Sequence, residues 1–438
     1  MEKNIVKPST LPGFMELLPK EQILFNKILD IIKKNYEKFG FLPIDTPVIE
    51  KSEILLAKGG GETEQQIYRF EKGDTDLALR FDLTVPLARY VAEHFPELNF
   101  PFRRYQIGKV YRGEKSQRGR FREFYQCDID IVGNGKLDII NDAEIPSIIY
   151  SIFKELNFGP FTIKINNRKV LKGFFQSLGI EDSTEVLRTI DKLEKIGLEK
   201  VEKELETQGI EKDKISKILE FIQIAGSNEE KLQQLKDSNI DNEVFIEGLR
   251  ELEEVNKYIG FFGVPSENYI IDLTIVRGLD YYTGTVYETF LDEYPNLGSI
   301  CSGGRYDNLA ENYTKQKLPG VGIAIGLTRL FYQLNEANLI NAVEDSLTKV
   351  VIIPMEGCVE KALQIASELR ENEINTQVYA EKGKMGKKFG YVDKGNIPYT
   401  LIIGEEEIEQ KKYTLRDMKT GEQNMLSIKE IIEKLLDK

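Results

Sequence analysis

The run Arg120-Phe-Arg-Glu-Phe-Tyr-Gln-Cys-Asp-Ile-Asp-Ile-Val-Gly133 carries the densest chemistry of the chain. Read as a strand, its side chains alternate between two faces. Arg120, Arg122, Phe124, Gln126, Asp128 and Asp130 share one face. Phe121, Tyr125, Cys127, Ile129 and Ile131 share the other, with Glu123 out of place. The second is a core face. The first offers arginines for a phosphate, an aromatic for a flat ring, and an amide with carboxylates for a cationic amine. That succession fits a nucleotide bound beside an amino acid. The plain alternative is an edge strand with a solvated polar face.

Four other runs could do chemistry. In Tyr111-Arg112-Gly-Glu114 the Arg and Glu lie on one strand face, where a guanidinium can grip phosphate oxygens and the Glu can meet an adenine edge. The alternative is a cross-strand ion pair. Arg277-Gly-Leu-Asp-Tyr-Tyr-Thr-Gly284 ends one strand and opens the next, and a simple hairpin would leave its arginine unexplained. Ser302-Gly-Gly-Arg-Tyr-Asp307 reads as a glycine-permitted turn beside an aromatic and an acid. Gly320-x-Gly-x-x-x-Gly326 lacks dinucleotide-fingerprint spacing. Its glycines would let a flat ligand lie against the backbone, or a helix pack closely on the sheet. Arg329, just inside the following helix, could reach a terminal phosphate. His94, before Pro96, reads as an ordinary surface or loop histidine.

These runs need a scaffold, and the chain supplies one. Residues 20 to 38 have helical spacing and Gly40 stops them. Phe41 to Ile49 reads as an extended strand, with Pro47 favouring an edge or a subunit contact. Residues 77–85 and 100–133 read as strands of an antiparallel sheet, joined by a polar loop from Gly113 to Gly119. From about Asn166 to Tyr258 the chain turns Lys-, Glu-, Leu- and Ile-rich at helical spacing, which predicts a helical insertion. Strand character returns at 269–276 and 285–291. Gly320 to Gly326 predicts a strand running into a helix over 327–339. Beyond a polar linker at 342–348, strand–helix alternation over about ninety residues predicts a small α/β domain with a largely parallel sheet.

Composition bounds the function. At 438 residues the chain should hold two to four domains, and 41% apolar residues suffice for real cores. No apolar run approaches transmembrane length and no signal segment opens the chain, so no membrane association is expected. Cys127, Cys301 and Cys358 are too far apart in sequence to imply a disulfide framework or a zinc site. A reducing cytoplasm fits best. One histidine excludes Ser/His/Asp and Cys/His catalysis and multi-histidine metal sites. A net charge of −13 means that a nucleic acid would need local basic patches. Two exist, between 101 and 125 and between Lys382 and Lys394.

In this order the runs resemble the histidyl-tRNA synthetases, a family of class II aminoacyl-tRNA synthetases. Phe39 to Glu50 looks like class motif 1, Tyr105 to Glu114 with Arg120 to Phe124 like motif 2, and Gly320 to Leu330 like motif 3. Arg277-Gly-Leu-Asp-Tyr-Tyr and Gly303-Gly-Arg-Tyr-Asp307 look like the two histidine signatures. The resemblance covers the whole chain. It implies an α/β protein whose α+β catalytic core is an antiparallel sheet flanked by helices. It places that core in 1–165 and 261–341, the helical insertion in 166–260 and an anticodon-binding α/β domain in 349–438.

The implied reaction has two steps: L-histidine and ATP give histidyl-adenylate and pyrophosphate, and the histidyl group then moves to tRNA(His). The resemblance implies that Arg112 and Arg277 act catalytically at the α-phosphate. Glu114 would bind the adenine amino group, Phe124 would stack on adenine, and Arg120 and Arg329 would hold the β/γ-phosphates. Asp82, Thr84 and Gln126 would take the histidine ammonium, with Asp82 and Thr84 two apart on one strand face. Asp130, Tyr282 and Tyr306 would read the imidazole. Gln117 would approach the tRNA. Mg²⁺ would arrive on ATP, with no dedicated protein ligands for a metal. A homodimer is implied. The chain mixes features of two branches: Arg80-Phe-Asp-Leu-Thr and Cys127-Asp-Ile-Asp130 look archaeal or eukaryotic, while the short loop Glu114 to Gly119 looks bacterial. A non-catalytic histidine-sensing regulatory paralogue of histidine biosynthesis is the rival. It predicts lost phosphate arginines and no C-terminal domain.

Overall fold

The computed structural model describes residues 6–57, 62–115, 119–190, 192–275, 282–340 and 346–436. The chain divides into two compact units, Met1–Glu16 with Ile28–Ile340, and Leu17–Lys27 with Asn341–Lys438. Helix α1 (Pro19–Lys38) buries Phe25, Ile28, Ile32 and Tyr36, a three-to-four-residue spacing along one face. Gly40, at φ 76°, follows its end.

The larger unit continues with β1 (Leu42–Pro43), β2 (Ile49–Lys51), α2 (Ser52–Leu55), α3 (Glu62–Gln66), β3 (Arg69–Lys72), β4 (Thr75–Leu79) and α4 (Thr84–Glu93). Then come β5 (Phe102–Tyr111), β6 (Glu123–Val132), α5 (Ile140–Leu156) and β7 (Phe161–Asn167). The helical segment supplies α6 (Arg168–Ser177), α7 (Thr184–Ile190), α8 (Leu193–Ile196), α9 (Leu198–Thr207), α10 (Lys212–Ile222), α11 (Asn228–Asp237) and α12 (Glu243–Phe261). The chain returns through β8 (Tyr269–Ile271), β9 (Thr285–Leu291), β10 (Cys301–Tyr306), β11 (Gly320–Ile325) and α13 (Leu327–Glu336).

Eight strands make one sheet in the order β1-β5-β6-β11-β10-β9-β7-β8, antiparallel except at its two ends, where β1 with β5 and β7 with β8 are parallel. β6 is interior to it, so the solvated edge strand is excluded. Several segments depart from expectation, among them the strand expected over 269–276, which ends at Ile271. The extended run at 41–49 splits: β1 joins the large sheet and β2 joins a separate three-stranded sheet, β2-β4-β3. The strand expected over 77–85 ends at Leu79, and Thr84 opens helix α4 instead. Asp82 and Thr84 therefore share no strand face. Pro86 is harmless in a first helical turn, and Asp82 Oδ1 accepts the Val85 N–H at 2.9 Å, the job of a helix cap.

The helical insertion closes the sheet's far edge. Asn228 donates to the Tyr269 carbonyl at 3.4 Å and accepts from the Ile271 N–H at 2.7 Å, in the manner of a neighbouring strand. The Lys231 ammonium donates to the Ile271 carbonyl at 2.7 Å. Helices α6 and α12 meet backbone to backbone: a Cβ on Gly173 would lie 2.3 Å from the Phe245 nitrogen. The Phe174 and Phe221 rings stack at 3.8 Å beneath them.

The smaller unit carries β12 (Val350–Pro354), α14 (Val359–Glu371), β13 (Thr376–Val378), α15 (Met385–Lys394), β14 (Tyr399–Ile403), α16 (Glu405–Gln410), β15 (Tyr413–Asp417), β16 (Gln423–Leu426) and α17 (Ile428–Leu436). Its sheet runs β13-β12-β14-β15-β16. The first three strands are parallel, as the alternation predicts, and an antiparallel hairpin follows. β12 is buried on both faces. Val350 and Ile352 pack with Ala362, Ile365 and Leu369, while Val351 and Ile353 pack with Val392 and Ile397.

Candidate active site

Strand register lines the site residues up in rows. Directly opposed residues of neighbouring strands share a face. One row runs Gly304–Gly322–Asp130–Arg104 across β10, β11, β6 and β5. The next runs Ser302–Ala324–Asp128–Gln106, and Gln126 opposes Gly108 beyond it. The row before holds Tyr306–Gly320–Val132–Phe102. The opposite face carries Cys127, Ile129 and Ile131, all fully buried, as the alternation predicts.

What is unusual is that the polar face is buried too. Gln126, Asp128 and Asp130 are at most 8% exposed. The Tyr306 hydroxyl donates to Asp130 Oδ1 at 2.9 Å, and the Arg104 guanidinium lies 2.5 Å from Asp130 Oδ2. Burial pushes the Asp130 carboxyl up to about 6, against the pull of Arg104 and of the Tyr306 hydrogen bond. Asp128 is driven well above the carboxylate range, first by burial, with Arg104 opposing and Asp130 and Asp82 adding to the rise. Asp82, also buried, is raised mainly by desolvation and restrained by the Val85 N–H. Tyr282 packs in the same apolar cluster as Tyr306.

The glycines here serve side chains of the protein itself. A Cβ on Gly320 would lie 2.4 Å from the Tyr306 ring, and one on Gly322 would lie 2.3 Å from Asp130 Oδ1. A Cβ on Gly326 would meet nothing within 4 Å. The run at 302–307 is not a turn but mostly strand β10. Gly303 and Gly304 are there for close approach, since Cβ atoms would lie 2.1 Å from the Gly322 carbonyl and 2.7 Å from that of Thr285. Between them and Tyr306, Arg305 points to the other face and binds Asp142 of α5 through Nε and Nη2, at 3.0 and 2.6 Å.

Arg112 and Glu114 lie just past the end of β5 rather than on one strand face. The Arg112 guanidinium sits 4.5 Å from the Phe81 ring centre and 5.1 Å from that of Phe124, and its Nε donates to the Phe81 carbonyl. Glu114 accepts from Arg120 at 3.1 Å. Arg329 donates to the Leu297 carbonyl at 3.2 Å. Burial and then the charge of Arg120 hold the Arg329 guanidinium below its usual value, with Glu114 opposing. Arg120, Glu114 and Arg329 are thus neighbours. Thr84 sits two residues beyond Asp82, at the start of α4. Gln117 and Arg277 lie outside the described residues.

Within the basic run at 101–125, Arg103, Arg104 and Lys109 do not belong to a free patch. Arg103 pairs with Glu144 at 2.8 Å, Lys109 with Glu123 at 2.7 Å, and Arg104 is buried. Sequence reasoning counted Arg104 only as one charge of that run and gave Asp128 no role beyond that of one of two carboxylates on the polar face. Their places follow from the β5–β6 register, which sequence alone does not state. The second run keeps Lys382, Lys384, Lys387 and Lys394 exposed. Lys388 is buried and donates to the Pro354 carbonyl. Among the described residues no cluster of His, Cys, Asp and Glu could hold a metal ion, and no helix is long and apolar enough to cross a membrane.

Comparison with known proteins bears directly on this arrangement. The sequence model described as histidyl-tRNA synthetase matches residues 13–330, and that of an anticodon binding domain matches 349–438. The chain belongs to the histidyl-tRNA synthetase family. It is 64% identical over 434 residues to the histidine–tRNA ligase of Clostridium tetani, covering 99% of both chains. To that of Finegoldia magna it is 51% identical, covering 98% of this chain and all of the other. The crystal structure of histidyl-tRNA synthetase from Nostoc sp. PCC 7120 superposes with a TM-score of 0.91 at 43% identity, covering 98% and 99% of the two chains. This synthetase therefore has the class II fold with a C-terminal anticodon-binding domain, and its activity is that of a histidine–tRNA ligase. The regulatory paralogue is not favoured. A Bacillus halodurans chain described as an ATP phosphoribosyltransferase regulatory subunit/histidyl-tRNA synthetase shares the fold alone, at 21% identity.

Proposed function

We propose that this synthetase activates L-histidine on the polar face of its eight-stranded sheet and charges tRNA(His). The work is divided among a catalytic core (1–165 and 261–341), a helical insertion (166–260) and an anticodon domain (349–438). The observation that supports it best is the buried Asp130–Tyr306 pair, a preset acceptor and hydroxyl able to meet the two ring nitrogens of an imidazole. Asp82, Thr84 and Gln126 take the ammonium. The Gln126 carbonyl oxygen is buried with no partner among the described residues, so it has capacity to accept one.

ATP fits the adjoining end. Phe124 offers a ring face for adenine, Glu114 an acceptor for its amino group, and Arg120 with Arg329 two neighbouring cations that a polyphosphate would neutralise. Adenylation needs no protein nucleophile, because the histidine carboxylate attacks the α-phosphate and pyrophosphate leaves. Arg112, with Arg277, stabilises the charge that develops there. Mg²⁺ comes with ATP, held by phosphate oxygens. Gln117 approaches the tRNA acceptor end, and Lys382, Lys384, Lys387 and Lys394 contact anticodon-arm phosphates. The protein works as a cytoplasmic homodimer.

Pyrophosphate exchange with each amino acid in turn tests the reading: exchange should depend on histidine alone. Removing residues 349–438 should impair tRNA charging far more than exchange. Equal loss of both would overturn the division of labour. Light scattering should show a dimer of the 50.2 kDa chain. A fully active monomer would refute that part.

A further inference from the structure

One charged group on the site face has no task in the scheme above. Arg104, in the middle of β5, is fully buried. A buried guanidinium is costly unless a partner repays its desolvation. Among the described residues its ion-pair partner is Asp130, with Nη2 2.5 Å from Oδ2, and none of Nε, Nη1 and Nη2 makes a hydrogen bond of good geometry. The Tyr306 hydroxyl holds Oδ1 at 2.9 Å from the other side. Gly322 leaves room for the carboxylate, since a Cβ there would sit 2.3 Å from Oδ1. Asp130 thus has a hydrogen bond from Tyr306 on one oxygen and the charge of Arg104 beside the other, with lone pairs left over.

The groups that face Asp130 come from four elements: Arg104 from β5, Tyr306 from β10, Asp82 from the turn before α4, and Asp128 from its own strand. Two of these are acids. Burial and Asp82 both favour a protonated Asp130, while Arg104 and the Tyr306 hydrogen bond favour an ionised one. A protonated Asp130 would be a donor on one oxygen and would rotate freely between partners. An ionised, doubly held Asp130 is a fixed acceptor.

We infer that Arg104 is a positioning residue for amino-acid selection: it keeps Asp130 an ionised acceptor in one orientation, so that the pocket demands a ring N–H at one place. The inference rests on the proposed reading of Asp130 as the imidazole acceptor. Arg104 touches no substrate in this scheme and acts through Asp130. A pocket built this way rejects side chains without the N–H, because a buried acceptor lone pair of Asp130 is then left without a donor.

The test is pyrophosphate exchange on the full-length enzyme, with histidine and ATP varied separately from pH 5.5 to 8.5. Arg104→Met should raise KM for histidine at least about tenfold and leave KM for ATP within about twofold. The acidic limb of kcat/KM for histidine should move to higher pH, so the loss is deeper at pH 6.5 than at pH 8.5. Arg104→Lys, which keeps the charge without the fork, should recover the pH limb but only part of the KM. A merely structural role would move neither the limb nor the ratio of the two KM values. If Arg104→Met does not fold, Arg104→Lys with Tyr306→Phe decides. The two should be non-additive in KM for histidine, since both act on one carboxylate. Additive effects, or equal effects on both substrates, overturn the inference. Asp130→Asn separates the two levels. If it leaves KM for histidine unchanged, the reading of Asp130 has failed. If it raises KM while Arg104→Met does not, only the role of Arg104 has failed.

Discussion

The two larger sheets of the molecule each have an interior strand buried on both faces, and they fill the space around it in opposite ways. β12 of the C-terminal unit is buried on both faces and wholly apolar. β6 of the catalytic sheet is buried on both faces, yet one of them carries Gln126, Asp128 and Asp130 against Arg104. An apolar strand gains from every contact it makes. A charged one breaks even at best, because desolvation offsets the attraction of its partners. The catalytic sheet therefore gives up stability at the rows that, on the proposed reading, would present charge to a substrate. The interior strand β12 of the anticodon-binding sheet carries no charge, and four lysines near and on α15 stay outside, while Lys388 is buried against the Pro354 carbonyl.

If that contrast holds, rate and stability should separate by sheet. Arg112→Ala should cost about 10²–10³ in exchange rate while shifting the melting temperature little. Leu401→Ala in β14, where Leu401 is fully buried, should cost about 2–5 kcal/mol of the C-terminal unit's stability and leave exchange intact. Denaturant unfolding alongside exchange reads both, and a Leu401 variant that loses exchange would collapse the distinction.

The motif glycines sharpen it. Gly322→Ala should raise KM for histidine on the order of tenfold or more, since its methyl collides with Asp130 Oδ1 and with the Ile129 carbonyl, whereas Gly326→Ala meets no atom within 4 Å and should spare histidine binding. Similar KM values for the two variants would mean that Asp130 does not need the room.

The smallest effect lies in the pH dependence of stability, and its sign differs between the units. Asp130 is raised to about 6 in the folded protein. Its contribution is present in full below the unfolded value of about 3.9 and is lost as pH rises through about 6. Relative to Asp130→Asn, the parent should lose ground between pH 4 and pH 6. Asp417, in the hairpin turn, is lowered by the N–H groups of Thr420 and Lys419. Its contribution is present above the unfolded value and is lost as pH falls through the lower folded one, so Asp417→Asn should cost stability at pH 7 and progressively less as pH falls. Thermal melts across that range would show both, and slopes of the same sign would refute the assignment.

What could be read from the sequence divides along physical lines. Local periodicity gave α1, the α6–α12 helices and the parallel core of the C-terminal sheet, because each buries a face whose spacing is written in consecutive residues. The β15–β16 hairpin escaped notice: only Tyr413 and Leu415 alternate there, in a polar stretch held by main-chain bonds. Thr84 was misplaced because Asp82-Leu-Thr reads equally as strand or as helix start, and the cap bond to Val85 decides. The residue types of the site were legible in the 120–133 run. The task of Arg104 was not, since a lone arginine in a basic run takes its meaning from the strand opposite, and pairing register is a long-range property.

The edge of β8 has a consequence for the whole chain's solubility. Its outward N–H and C=O groups are occupied by Asn228 and Lys231 rather than by a ninth strand. An unpaired edge is a template on which another chain can add itself. The helical insertion serves as a stopper at the end of the sheet. A version trimmed of residues 166–260 would expose a sticky border and recruit copies of itself, so an engineer seeking a minimal catalytic core must supply a substitute plug at that border first.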